Sequence, residues 1–372
     1  MRNSFADLFI LGRIASVCAL TGLLPITASA QLNRDRVTDY LDKAGKVATA
    51  ATSADWESRR SSILRAMESI MGTLPRQEKR CPLAVDVEEE IDKGTYVRRR
   101  ITYQILTGVR VPAFLLIPKP ALNGIQKASA ILALHQTHPE GQKVVVGLGN
   151  SPDDEYGVEL ANHGYVCLAP PYPMLANYWP DVKKVGFESG TMMAIWINSR
   201  GLDLLASLPY VRTNAFGAIG HSLGGHNGIY TAAFDQRITA VVSSCGLDSY
   251  RDYYDGNPEN WKEERGWCQT RYMPRFAEFQ GRLDQLPFDF PEILSAIAPR
   301  RIFLNAPLGD SNFRWRSVER VVNAANEVYA LFPNSVPIRV VHPDSPHRFP
   351  PAIRQAAYEF LDAALAPALR SN

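Results

Sequence analysis

The run Ala215-Phe216-Gly217-Ala218-Ile219-Gly220-His221-Ser222-Leu223-Gly224-Gly225-His226 constrains this chain more than any other stretch. It begins as an apolar strand pattern, meets a serine framed by glycines, and continues from Gly228 to Phe234 as a small-residue and apolar helix. Gly220, Ser222 and Gly224 satisfy G-x-S-x-G, a sharp strand-to-helix turn that lifts a serine oxygen clear of a sheet. At such a turn the backbone is strained and crowded, so only hydrogen fits as the side chain of Gly220 and Gly224. The same turn sets Ser222 beside the first turn of the helix, whose free N–H groups and positive dipole end favour a developing oxyanion. The plainer alternative is a glycine-rich turn with an incidental serine.

At 372 residues the chain is long enough for one large α/β domain with a full core, or for two smaller ones; the patterning favours a single catalytic domain over 81–372 behind a helical extension over 31–80. With 40 Lys and Arg against 38 Asp and Glu the formal charge is only +2, which gives no footprint for nucleic acid. The N-terminus departs from this ordinary picture. Arg2 and Arg13 precede the apolar run Ile14 to Ile26, which ends in Ala28-Ser29-Ala30 before Gln31. A basic start, an apolar middle too short to span a bilayer and a small-x-small site predict a secretory signal over 1–30, hence a secreted or periplasmic protein with no stable membrane anchor after cleavage. An uncleaved anchor and a cytosolic amphipathic helix are the alternatives. Of the five cysteines, Cys18 lies in that segment. Cys167 and Cys245 sit in apolar strand patterns, while Cys81 and Cys268 lie in loop-like segments and can pair in an oxidising compartment. No Cys or His cluster has zinc-ligand spacing.

Taken in order, Arg34 to Met71 has a helical apolar face, stopped by Gly72 and Pro75. Leu83 to Ile91, Tyr96 to Leu106 and Val111 to Ile117 have the pattern of strands in an antiparallel meander. Ala128 to Leu134, Tyr165 to Ala169, the elbow strand, Ile238 to Cys245, Arg301 to Asn305 and Val336 to Val341 are short apolar runs. They alternate with helical patterns at Glu155 to His163, Gly190 to Leu208, Trp315 to Phe332 and Ala352 to Ala364. That alternation predicts an α/β fold, a doubly wound and mostly parallel sheet covered on both faces. Between about 247 and 297 it stops, and a polar, aromatic-rich, lid-like insertion takes its place. Its aromatics either stack on flat substrate faces, with Tyr250, Trp261 and Trp267 as candidates, or form the lid's own small core.

A serine hydroxyl is a poor nucleophile at neutral pH and needs a base, which needs an orienting acid. Asp310 follows the strand ending at Asn305, and His347 lies in the loop beyond the final strand. Asp248, just after the strand ending at Cys245, is the alternative acid. His342 closes the final strand and Asp344 lies in a proline-bounded loop, places that suit structural roles. His221 and His226 flank the serine as packing or hydrogen-bonding residues.

Trp56-x-x-Arg59-Arg60, Leu134-His135, Gly220-His221-Ser222-Leu223-Gly224-Gly225, Ala306-Pro307-Leu308-Gly309-Asp310 and Pro346-His347-Arg348-Phe349 together resemble secreted bacterial α/β-hydrolases of the acetyl xylan esterase-like and dienelactone hydrolase-like branch. The resemblance covers nearly all of the chain after residue 30. It implies hydrolysis of a carboxylic ester, an acetyl group on a plant polysaccharide among them. Ser222 is then the nucleophile, His347 the base and Asp310 the acid, with the backbone N–H groups of Leu223 and Gln136 as the oxyanion hole. It implies a small-molecule or carbohydrate ester as partner and no metal or organic cofactor. A glucuronoyl esterase, marked by a basic pocket to which Arg251, Arg265 and Arg271 would contribute, is the near rival. A prolyl-oligopeptidase-like peptidase and a non-catalytic protein on the same scaffold are the others.

Overall fold

All seven residues of Ala128–Leu134 are buried, so this strand is covered on both faces, and its alternate side chains enter different layers. Ala130, Leu132 and Leu134 join one apolar core, Ile131 and Ala133 the other. The structure is a computed structural model and describes residue 32 and residues 36–42 and 44–365. Residues 1–31, with the expected signal segment, lie outside the described residues.

The chain opens with a short antiparallel pair, β1 (Asp39–Leu41) and β2 (Val47–Thr49), followed by α1 (Ser53–Met71). This corrects the expectation of helix from Arg34 onward. Asp42 Oδ1 accepts the N–H groups of Ala44 at 2.8 Å and Lys46 at 2.9 Å, and Gly45 takes φ 75°, so a tight turn closes a hairpin there. The helix starts only at Thr52, whose side chain and Asp55 form a reciprocal capping box. Arg60 then ties α1 to the main body, donating to the carbonyls of Ala296 at 2.8 Å and Ala233 at 3.2 Å.

β3 (Asp86–Asp92), β4 (Tyr96–Leu106) and β5 (Val109–Pro118) form the antiparallel meander. After α2 (Lys119–Leu122) come β6 (Ala128–Leu134), α3 (Tyr156–Asn162), β7 (Val166–Ala169), α4 (Gly190–Ser207), β8 (Val211–His221) and α5 (Leu223–Phe234). The chain continues through β9 (Ile238–Ser244), α6 (Phe290–Ile297), β10 (Arg301–Asn305), α7 (Trp315–Tyr329), β11 (Arg339–Val341) and α8 (Pro351–Leu365). One nine-stranded sheet results, ordered β11-β10-β9-β8-β6-β7-β5-β4-β3 and parallel from β11 to β7. Side chains of α1, α4, α5, α6 and α7 fill one layer, those of α3 and α8 the other. The expected α/β, doubly wound architecture is therefore present. Among the described residues no helix is long and apolar enough to cross a membrane.

Between β9 and α6 the chain runs through a succession of short 3-10 turns from Tyr253 to Gln285. Cys81 and Cys268 do not pair: both carry free thiols, Cys268 buried in those turns and Cys81 half-buried, its sulfur 3.4 Å from Gln104 Nε2.

Candidate active site

Ser222 is the single residue between β8 and α5, and its backbone adopts φ 51° and ψ −121°, where a residue with a β-carbon is strained by about 1–3 kcal/mol. The surrounding glycines explain why the turn can close. A β-carbon on Gly220 would stand 2.2 Å from the Gly224 carbonyl carbon, and one on Gly225 would stand 2.6 Å from Ser243 Oγ. Leu223 opens α5, so its N–H has no carbonyl of the same helix to bond.

The acid and the histidine are brought together by their loops. Ala306 N–H donates to Val341 O at 2.9 Å, Leu308 N–H to Pro343 O at 3.0 Å and Gly309 N–H to Ser345 O at 3.1 Å, zipping the segment after β10 to the segment after β11. His347 Nδ1 consequently lies 2.9 Å and 3.0 Å from the two oxygens of Asp310. Burial alone would raise the Asp310 pKa. The His347 contact and the N–H groups of Asn312 at 2.8 Å and Phe313 at 3.1 Å outweigh it and hold the carboxyl below its ordinary value. Asp248 is not placed for the same task. Its carboxylate accepts the Arg314 N–H at 3.2 Å, and burial pushes it up to about 8.

Ser222 and His347 line one cleft of about 350 Å³ together with His221, Leu223, Gln136 and Thr137. Its opposite wall is Tyr253, Trp267, Tyr272 and Phe313, with Gln269 and Asn312 as polar groups. Among the described residues lining it there is no Lys, Arg, Asp or Glu. Arg251, Arg265 and Arg271 are not among them, and Arg251 instead approaches Asp289 at 3.8 Å.

Of the three aromatic candidates only Trp267 reaches the cleft. Tyr250 and Trp261 are fully buried and pack with Phe276 and Phe288 into the main apolar layer, the Tyr250 hydroxyl meeting that of Tyr230 on α5. Packing decides this, since an edge-on aromatic cluster removes far more apolar surface from water than a wall of one cleft can. Trp267 is held by His226, whose ring stacks on it at 4.2 Å and on Tyr230 at 4.4 Å. Thr137, Gln269, Asn312 and Phe313 were not singled out from sequence, while Tyr253 and Tyr272 entered only as members of the insertion's aromatic set. For Asn312 and Phe313 the available signal was their place directly after Asp310.

Three further histidines are held by hydrogen bonds away from the attacking position. His135 Nε2 accepts the Tyr172 N–H at 2.9 Å, so Nδ1 carries the proton and donates to Gln136 O at 2.7 Å. Burial pushes His135 down to about 4, which keeps that arrangement neutral and holds the Gln136 peptide at the cleft edge. His221 is pushed down to about 3 by burial and by His347, its Nδ1 3.1 Å from Ser244 Oγ. His342 bridges Ala306 O at 2.7 Å and Glu319 Oε1 at 2.9 Å.

The sheet order and the elbow between β8 and α5 define the α/β-hydrolase fold. A family model described as glucuronyl esterase of fungi matches residues 181–332, which run from before α4 past the end of α7. The YtaP protein of Bacillus subtilis (strain 168) is 24% identical over 320 residues, 82% of this chain and 97% of that one. Among solved structures, a glucuronoyl esterase from Solibacter usitatus superposes with a TM-score of 0.67 at 18% identity, covering 91% of this chain and 99% of that chain. Acetyl xylan esterase 1 from a Thermoanaerobacterium species gives a TM-score of 0.55 at 15% identity over 82% of this chain and 93% of that chain. The resemblance to acetyl xylan esterase-like hydrolases thus extends to glucuronoyl esterases.

Proposed function

We propose that Ser222 is the nucleophile, His347 the general base and Asp310 its orienting acid, in hydrolysis of a carboxylic ester borne by a plant polysaccharide. His347 takes the Ser222 proton as the oxygen attacks the ester carbonyl, and the N–H groups of Leu223 and Gln136 receive the oxyanion. The alcohol leaves with the proton from His347, and water releases the acyl group by the same route. The observation that carries this reading is the Asp310–His347 pair at 2.9 Å opening on the same cleft as the strained Ser222.

The uncharged, aromatic wall of the cleft suits a neutral ester on a sugar, and acetyl is the ester proposed first. A glucuronoyl ester is the second reading, supported by the family match over 181–332. The signal layout of residues 1–30 supports a secreted or periplasmic enzyme that meets such a polymer outside the cytoplasm. The test is product release from acetylated xylan and from glucuronate methyl ester by wild type and Ser222→Ala. Acetate release that Ser222→Ala loses by about 10³-fold or more supports the first reading. Cleavage of the glucuronate ester alone replaces it with the second.

A further inference from the structure

Cys245 follows the last residue of β9 and has φ 51° although it carries a β-carbon. Glycine adopts that conformation freely, whereas any other residue is strained by about 1–3 kcal/mol, so a side chain retained there has a use to be sought. Its backbone is fixed by a 2.8 Å bond from Cys245 N–H to Asn305 O, and the residue is only 2% exposed. The sulfur, a carboxylate oxygen of Asp310 and a ring nitrogen of His347 all lie within 4.8 Å of one another. Ser244 Oγ at 3.8 Å and Asn305 Nδ2 at 3.9 Å approach the sulfur as donors; the thiol faces Arg348 O at 3.5 Å and, within 4.8 Å, the Asp310 carboxylate as its two acceptors.

We propose that Cys245 is a positioning residue of the reaction: its thiol donates to Asp310 from outside the cleft and sets how strongly that carboxylate holds the His347 imidazolium. The inference rests on the Ser222, His347 and Asp310 reading. Burial, and next the Asp310 charge, raise the Cys245 thiol pKa, so it stays protonated and can donate. Each donor to a carboxylate draws off part of the charge available to its other partners. The other titratable groups facing the pair are His221, pushed down to about 3, and Asp248, pushed up to about 8.

Alanine and serine share the backbone strain of cysteine and differ in the donor. Cys245→Ala removes it, leaves more charge on Asp310 for the imidazolium, and moves the acidic limb of kcat/KM to higher pH by about half a unit. Cys245→Ser supplies a stronger donor and moves the limb to lower pH. KM changes in neither by more than about twofold, because Cys245 is not part of the cleft wall. Limbs that coincide with wild type, or that move the same way in both variants, overturn the proposal and assign the thiol proton to Arg348 O. If Cys245→Ala fails to fold by near-ultraviolet circular dichroism, the Cys245→Ser limb decides alone: lower pH supports the proposal, coincidence or higher pH overturns it. Ser222→Ala loses activity in either case, so failure here is distinguishable from failure of the underlying reading.

Discussion

A β-carbon placed on Gly224 would stand 2.0 Å from the carbonyl oxygen of Leu134, so the start of α5 rests directly on the end of β6. That contact sets the distance between the two proposed oxyanion donors, since Leu223 precedes Gly224 and Gln136 lies two residues after Leu134. Backbone meeting backbone cannot yield as a flexible side chain can. Gly224→Ala therefore lowers kcat by about 100-fold or more if the protein still folds, with loss of the oxyanion geometry. Steady-state kinetics beside a thermal melt separates this from simple unfolding.

Asp248 and Asp310 give opposite responses to neutralisation. Asp310, held below its ordinary value, contributes stability above the unfolded carboxyl pKa of about 3.9 that is lost as pH falls through its folded value. Asp248, pushed up to about 8, does the reverse: its burial costs stability that grows as pH rises from about 3.9 to about 8. Asp248→Asn keeps an acceptor for the Arg314 N–H, retains activity, and raises Tm at pH 8 more than at pH 5. Asp310→Asn loses about 10³–10⁴-fold in kcat. Melting curves and rates across pH check both, and an inactive Asp248→Asn beside an active Asp310→Asn would reverse the assignment of the acid.

Trp267 and Trp261 lie in the same insertion with different fates. Trp267→Ala, which removes a cleft wall, lowers kcat/KM on a polysaccharide ester about tenfold and affects a small aryl acetate much less. Trp261→Ala, which empties a fully buried site, costs about 3–5 kcal/mol of stability. Parallel kinetics on the two substrates and denaturant titration distinguish them.

These contrasts show what was legible in the sequence. The elbow, Asp310 and His347 could be found because strand ends are marked by short apolar runs, and each of the three lies just past one. Hydrogen bonding through Gly309 and Ser345 then brings the last two together. The insertion was not legible at that level. Whether an aromatic faces a cleft or its neighbours depends on how turns without a hydrophobic period fold back, and Tyr250 and Trp261 went inward. The pair β1 and β2 was hidden for another reason. Three-residue strands are too short to show a period of two, so Val37, Tyr40 and Leu41 matched a helix better than a hairpin.

The central claim is that Ser222 is the attacking nucleophile, and the most direct measurement is intact-mass analysis after reaction with a serine-directed fluorophosphonate. Wild type should gain one adduct per chain, mapped to Ser222, and folded Ser222→Ala should gain none. An unlabelled, folded wild type, or equal labelling of Ser222→Ala, would contradict the account.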